Sequence, residues 1–395
     1  MTLFCKVPGL RETGGIPLAW RQLMAEKKRF AVAVAGVSFG VILMLFQLGI
    51  FQAFMAMVIR PIDAMQGDLA MISSDFEYIM SSEAFPERRL YQALALPDIQ
   101  EVYPLMIAFA SWRNPESGRQ HEVALFGVRR GASPFILPDI MEHETVFSLP
   151  DEALYDALST PEYGIVPDLI EQAGGEIRTE INKRQVRVRH TFQMGQTLAA
   201  YGHVLVGVET FQRLSERPSP IIELGMIKLH AGADPGKVVE NLNAMLPVDV
   251  EVITRAELIR RERAYWQINT PIGFIVTAGL IIAMFVGSVI VYQILYTDIN
   301  DHIKEYATLK ALGLGDGFFL RLILQQAAIL PLFGFPPGIL LAAGLFHLAA
   351  KYGGLPARLT FSDTAIVLSL TILMCVTSGC LATRRLRGAD PADIF

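Results

Sequence analysis

The sequence has few charged residues for its length and very few cysteines. Asp, Glu, Lys and Arg make up 18% of the 395 residues, whereas hydrophobic residues make up 52%. This balance is unusual for a soluble globular protein and favours a membrane protein. Three cysteines, Cys5, Cys375 and Cys380, exclude a disulfide framework. The net charge of -5 provides no basic field, so we expect no nucleic-acid partner.

Motifs of catalytic, metal and cofactor sites are also missing. The segment Gly232 to Val238 comes closest to a phosphate-binding loop, but it is one residue short and has Val238 where Ser or Thr would contact the metal. No Cys/His pair has the spacing of a zinc site, and Gly-x-Ser-x-Gly does not occur. We therefore expect no catalytic residue, metal or cofactor on this chain, with any ATP and magnesium bound by a separate ATPase.

Four apolar segments are long enough, as helices, to cross a hydrocarbon core of about 30 Å. They are residues 30–59, 270–296, 318–350 and 364–383. Asp, Glu, Lys and Arg are absent near their centres, which argues against a proton or ion relay and so against secondary transport. The sequence predicts an α-helical membrane protein with four transmembrane helices and a large extracytoplasmic α+β domain.

The distribution of Lys and Arg predicts the topology. Basic residues are concentrated in the N-terminal segment 1–29 and the tail 384–395, so both ends are expected in the cytoplasm. Four crossings then place 297–317 in the cytoplasm, and 60–269 and the short turn 351–363 outside. We expect a multi-pass protein of the bacterial inner membrane with its large domain in the periplasm.

The outside domain alternates strand-like and helix-like segments. Residues 60–130 and 219–254 are predicted to form two halves of one α/β unit, and 131–218 a β-rich insertion with its own hairpin through Asn182 and Lys183. In the second half, Asp234 is expected to cap a helix whose Val238, Leu242 and Met245 share one face.

Two helices are predicted to extend out of the membrane as a stalk. At 1.5 Å per residue the first apolar helix is about 45 Å long, more than the core requires. The charged stretch 255–269 leads into the second apolar segment with no clear helix breaker before Pro271. Simple tilt of the first helix, with a separate surface helix before the second, is the alternative.

Small residues in the apolar segments predict close helix packing. Gly36 and Gly40 form a Gly-x-x-x-Gly step that serves a dimer or intramolecular contacts equally well. Gly334 and Gly338 surround Pro336 and Pro337, which favours a kink.

The cytoplasmic segment 300–312 is predicted to be a short amphipathic helix. Ile303, Tyr306, Ala307 and Lys310 recur at helical spacing, and Gly313 ends the pattern. An isolated helix of this length is marginal in water, so it needs a supporting surface. A soluble partner and the lipid headgroups both remain possible supports.

The layout of one helix, an outside domain and three helices resembles the permease subunits of the MacB/FtsX type, most closely the DevC-like exporter permeases. Four local segments carry the resemblance besides the layout: Lys304 to Gly313, Pro17 to Leu23, Ala389 to Ala392, and Phe192 to Gly202 in the insertion. His302 departs from the pattern, because many relatives have Arg near this position.

The resemblance implies a homodimer of permeases, each bound to a cytoplasmic ABC ATPase, with a periplasmic membrane-fusion adaptor and an outer-membrane channel. The resemblance also implies mechanotransmission. In this mechanism the permease passes the ATP-driven motion of the ATPase to the outside domain, and the motion of that domain drives efflux. Residues implied to contact the ATPase are Ile303, Lys304, Glu305, Tyr306, Leu309 and Lys310. A LolC-like role in lipoprotein release and an FtsX-like signalling role without transport remain open alternatives.

Overall fold

The computed structural model describes residues 16–217, 221–353 and 360–387. The Asp-Pro-Ala element at 389–392, the first half of the N-terminal segment and part of the predicted turn 351–363 lie outside these residues. The chain divides into a helical unit, residues 1–53 and 272–395, and an α/β unit, residues 54–271.

The helical unit is built from long apolar helices and two short ones. Four helices are long and apolar enough to cross a membrane. The helices are α1 (Ile16–Ala25), α2 (Lys27–Asp63, whose last residues belong to the α/β unit), α9 (Pro271–Asp301), α10 (Ile303–Ala311), α11 (Asp316–Gly353) and α12 (Phe361–Arg387). Each predicted apolar segment coincides with one long helix, and each helix is longer than predicted because charged residues continue its ends.

Small residues bring the long helices into contact. A Cβ at Gly36 would lie 2.4 Å from Cγ2 of Ile290, and Gly40 faces the Cα of Gly287, so α2 packs directly on α9. Gly334 and Gly338 similarly face Val37 and Val41 of α2. Both glycine pairs therefore serve packing within this chain.

The α/β unit contains eleven strands among its described residues. They are β1 (Leu69–Ser73), β2 (Phe85–Pro86), β3 (Ile99–Arg113), β4 (Gln120–Val128), β5 (Glu152–Asp156), β6 (Ile177–Ile181), β7 (Arg184–Phe192), β8 (His203–Gly207), β9 (Ile221–Ile222), β10 (Leu224–Leu229) and β11 (Val250–Thr254). Its helices are α3 (Arg88–Gln92), α4 (Pro138–Glu142), α5 (Val166–Gln172), α6 (Val208–Ser215), α7 (Pro235–Met245) and α8 (Arg255–Ile268).

Nine strands form one sheet in the order β11-β1-β10-β3-β4-β8-β5-β7-β6. The last strand returns to β3 through the pair Trp112 and Ile181, which closes six strands into a ring. The β-rich insertion is thus not a separate sheet: its strands extend the sheet of the α/β unit, because β8 pairs with β4 in parallel. The predicted hairpin is present, and Asn182 and Lys183 both have the positive φ that a tight two-residue turn requires.

Both faces of the sheet are buried. Along β1, Leu69 and Met71 lie in one apolar core and Ala70 and Ile72 in the other, as the alternation of side chains in a strand dictates. Helix α7 covers the first core with Val238 and Leu242, and α8 covers the second with Leu258. The side chain of Asp234 caps α7 by accepting a hydrogen bond from the Gly236 amide, as predicted, whereas Met245 is exposed.

Helix α8 is packed on the α/β unit instead of continuing into the next helix. It ends at Ile268, and α9 begins at Pro271 after Asn269 and Thr270. The Arg255 guanidinium donates to the carbonyls of Ile62 and Met65 at 2.7 and 2.6 Å, which satisfies oxygens at the end of α2. The structure therefore supports a separate surface helix before the second apolar helix, and the prediction of one continuous stalk helix is wrong there.

Candidate coupling surface

Helix α10 connects α9 to α11 and is held at both ends. At its start, Nδ1 of His302 lies 3.0 Å from the carbonyl oxygen of Asp298, and this hydrogen bond, with the nearby Asp298 carboxylate, raises the pKa of His302. At its end, Nζ of Lys310 lies 3.3 Å from the carboxylate of Asp316, the first residue of α11. Gly313 makes the turn between them with a φ of 94°.

The inner face of α10 packs on its own chain. Tyr306 is 3% exposed, and its ring contacts Phe319 edge to face at 5.6 Å between centroids. Ala307 is buried beside it, and Leu309 is partly buried against the same core. The apolar stripe that was predicted to need a supporting surface therefore finds one in α11.

The outer face of α10 is exposed, and we call it the coupling surface. It consists of Lys304, Glu305 and Thr308, with Leu312 at the C-terminal cap of the helix. Of the six residues implied to contact an ATPase, Lys304 and Glu305 lie on this surface, while Ile303, Leu309 and Lys310 are half-buried. Tyr306 is buried against Phe319 and supports the helix from inside, and its role as an ATPase contact stays a prediction.

A group of charged residues that the sequence analysis did not identify lies next to the coupling surface. The guanidinium of Arg29 in α2 pairs with Glu26 at 2.7 Å and with Asp301 at the end of α9. The amide of Gln326 in α11 donates to Asp298 at 3.4 Å. The sequence does show two acidic residues, Asp298 and Asp301, at the end of an apolar segment. Their partners could not be predicted, because these partners are distant in the chain.

The α/β unit contains a second polar cluster that was not predicted. Nδ1 of His203 lies 3.2 Å from Oδ2 of Asp156, and Nε2 lies 3.1 Å from Oγ1 of Thr197. This order of groups is that of a hydrolase triad, but His203 and Asp156 are fully buried and Thr197 is 3% exposed. A nucleophile must reach its substrate, so the cluster has no catalytic position here.

The buried cluster instead fixes the loop 193–202. The carboxylate of Asp156 accepts hydrogen bonds from the amides of Met194 and Gly195, and Thr197 closes a turn with the backbone of Ala200. Outside the cluster, Arg60 donates to the carbonyl of Gln196 at 2.8 Å. Tyr201 is left 52% exposed on this rigid loop. Residues 192–202 are the segment on which the expected resemblance to DevC-like permeases rests.

No group of three or more His, Cys, Asp or Glu residues in the described parts of the chain is placed to hold a metal ion. The Gly232 to Val238 segment is the turn that leads into α7, with Asp234 occupied as its cap.

Comparison with known proteins relates the helical unit to one family. No curated protein matches the chain. Similar solved structures include the periplasmic region of MacB from Actinobacillus actinomycetemcomitans, with 11% identity, a TM-score of 0.36, and coverage of 51% of this chain and 96% of that chain. The extracellular domain of the noncanonic ABC-type transporter YknZ from Gram-positive bacteria has 11% identity, a TM-score of 0.33, and coverage of 47% and 98%. Residues 277–391, which include α10 to α12 and most of α9, match the family described as FtsX-like permease C-terminal.

Proposed function

We propose that this chain is the permease subunit of an ABC-type export complex of the inner membrane, powered by a separate ATPase. The observation that carries the proposal is the match of residues 277–391 to the FtsX-like permease C-terminal family. The match includes α10 and three of the four helices with the length and apolar composition of membrane spans. ATP and magnesium would bind to the ATPase, and this chain would not be an enzyme.

In this proposal the ATPase binds the coupling surface of α10. Lys304 and Glu305 offer charges of both signs on a helix whose ends are fixed by His302 and Lys310. A short helix held at both ends moves as one body, so a displacement of α10 would reach α11 through the contact between Tyr306 and Phe319. In the complex the ATPase covers Lys304 and Glu305, and charges of opposite sign on the ATPase pair with them.

Co-purification with the ATPase tests this docking. Replacement of both Lys304 and Glu305 by alanine should weaken the association at least about tenfold, since contacts in an interface centre cost about 1 kcal/mol or more on truncation. The matched control replaces Lys237 and Glu240, an exposed pair on α7, and should retain binding. Unchanged binding by the Lys304 and Glu305 variant would contradict the docking site.

A Tyr306→Ala variant separates support from contact. Removing the buried ring leaves a cavity against Phe319, so the helical unit should unfold at a lower temperature. The Lys304 and Glu305 variant should unfold at the wild-type temperature. If Tyr306→Ala had wild-type stability and lost only ATPase binding, Tyr306 would be a contact residue after all.

The complete assembly in the proposal is a homodimer with two ATPases, an adaptor and an outer-membrane channel. The rigid loop 193–202, with Tyr201 exposed, is the surface we assign to the adaptor. Affinity purification of the tagged chain from native membranes should recover an adaptor, and Tyr201→Ser should reduce the yield of that adaptor.

Other outcomes would favour the two alternative functions. Recovery of a cell-wall hydrolase, or the absence of an efflux defect in a deletion strain, would support signalling. Accumulation of lipoproteins in the inner membrane of a deletion strain would support lipoprotein release.

A further inference from the structure

A groove of about 700 Å³ runs between α9 and α12 within the helical unit. This volume is in the range of sites for small organic molecules. Its apolar part is lined by Phe285, Val289 and Leu381, and its polar end by Tyr292, Tyr296 and Arg384. The polarity of the groove therefore changes along its length.

The length of the groove matches one leaflet of a bilayer. Phe285 and Tyr296 are eleven residues apart on α9, which is about 16 Å along a helix. The hydrocarbon core is about 30 Å thick, so one leaflet is about half of that. Tyrosines are enriched where hydrocarbon meets headgroups, and the ring centroids of Tyr292 and Tyr296 lie 5.7 Å apart at that level.

The apolar walls are not covered by the described parts of the chain. Phe285 is 67% exposed, Leu381 48% and Val289 44%. Side chains of this size placed between two helices need an apolar occupant, and an acyl chain has the required shape.

The kind of cation distinguishes this groove from a second one of about 400 Å³ between α2 and α9. The second groove is lined by Lys28 and Arg29; Arg29 is already paired with Glu26 and Asp301, so the cation that this groove offers is the ammonium of Lys28, which lacks the planar donors of a guanidinium. Arg384 is exposed, and it forms no ion pair with any carboxylate among residues 16–217, 221–353 and 360–387. The α9/α12 groove thus presents a guanidinium that is available to an anion.

We propose that the α9/α12 groove binds one phospholipid with an anionic headgroup from the cytoplasmic leaflet. The phosphate lies on the guanidinium of Arg384, whose planar donors match phosphate oxygens. The glycerol region lies at the level of Tyr292 and Tyr296, and one acyl chain follows Phe285, Val289 and Leu381. This inference rests on membrane insertion of the helices and not on export, so it is tested without the ATPase.

Native mass spectrometry of the purified full chain in detergent tests the site. The probes are dioleoyl-phosphatidylglycerol and dioleoyl-phosphatidylcholine, which share acyl chains and differ in headgroup charge. The wild type should bind one phosphatidylglycerol about fivefold more tightly than phosphatidylcholine, since one basic residue near the surface contributes about 1 kcal/mol. Inorganic phosphate at the same concentration should not displace the bound lipid, because it offers no acyl chain to the groove.

Two substitutions locate the site. Arg384→Gln should abolish the preference for phosphatidylglycerol, whereas Arg384→Lys, which keeps the charge, should retain part of it. The matched control is Arg321→Gln, because Arg321 is also exposed, lies near the same end of the unit on α11 and is not part of the groove. Equal binding of the two lipids by the wild type, a preference unchanged in Arg384→Gln, or displacement by inorganic phosphate would overturn the proposal.

Discussion

Two carboxyl groups on α8, those of Glu257 and Glu262, have pKa values that are shifted in opposite directions. Hydrogen bonds from Arg260 and Arg261 lower the pKa of Glu257 to about 2. Five residues later, burial raises the pKa of Glu262 to about 7, although the Ile79 amide and the Trp266 indole donate to it at 2.9 and 3.1 Å. Burial outweighs two neutral donors here because no cation accompanies them.

Replacing Glu262 by glutamine should therefore change the pH dependence of stability. The folded pKa lies above the unfolded one, so the folded chain binds more protons between about pH 4.5 and 7, and stability falls as pH rises through this window. Glutamine resembles the protonated form. We expect Glu262→Gln to stabilise the α/β unit at pH 8 by on the order of 3 kcal/mol and to have little effect near pH 4.5.

The measurement is thermal unfolding of the full chain between pH 4.5 and 8, followed by Trp112 and Trp266 fluorescence. Glu257→Gln on the same helix is the control, and it should destabilise at pH 8, because its pKa is lowered in the folded chain. We expect the unfolding temperature of the wild type to fall between pH 5 and 8 relative to that of Glu262→Gln. If it does not fall, the raised pKa of Glu262 is refuted.

The buried carboxylate of Asp156 should be far more important to stability than an exposed one. It accepts four hydrogen bonds, from the amides of Leu158, Met194 and Gly195 and from His203. Asparagine has one acceptor oxygen and would turn its own N–H groups toward donors. Asp156→Asn should cost about 3 kcal/mol, whereas Asp249→Asn, which removes an exposed pair with Arg89, should cost less than about 1 kcal/mol. Urea titration monitored by Trp112 fluorescence measures both, and similar losses would argue against the buried cluster as the anchor of loop 193–202.

At the scale of helices and strands, local patterns predicted most elements but not their partners. The apolar runs located the four long helices, and the turn residues Asn182 and Lys183 located a hairpin. The extension of α2 to Asp63 was missed, because Arg255 caps its end from a position 193 residues away from Ile62. The stripe containing Tyr306 was recognised, but nothing local showed that Phe319 would cover it. The same limit applied to the insertion, whose strands join the sheet through long-range pairing.

Packing of α2 on α9 can be tested by adding one methyl group. In Gly36→Ala the new Cβ would lie 2.4 Å from Cγ2 of Ile290, a branched methyl that cannot move without its helix. Overpacking of this kind costs about 1–3 kcal/mol, more than the helix propensity gained. Gly344→Ala in α11 meets no atom within 4 Å and should be neutral or stabilising. Thermal unfolding in detergent compares the two, and equal effects would indicate that α2 and α9 do not pack closely.

As a whole, the chain combines two units suited to different solvents. The helical unit exposes large apolar side chains, including Phe274 at 76%, Leu340 at 73% and Phe285 at 67%. The α/β unit buries both faces of its sheet and has many ion pairs at its surface, such as Arg261 with Glu251. A helical unit that exposes so many large apolar side chains is not stable in water, so it requires an apolar surrounding.

Insertion with the predicted topology has a direct test on the whole molecule. In a chain whose Cys5, Cys375 and Cys380 are replaced by alanine, a single cysteine is placed at Ser148 in the α/β unit or at Thr308 on the coupling surface, both exposed positions. In intact spheroplasts a membrane-impermeant maleimide should label Ser148→Cys, and it should label Thr308→Cys only after permeabilisation. The charge bias of the short segments predicts this result, because the basic residues at both ends of the chain favour the cytoplasm. Labelling of both cysteines in intact spheroplasts, or of Thr308→Cys alone, would exclude the four-span arrangement and with it a cytoplasmic ATPase on α10.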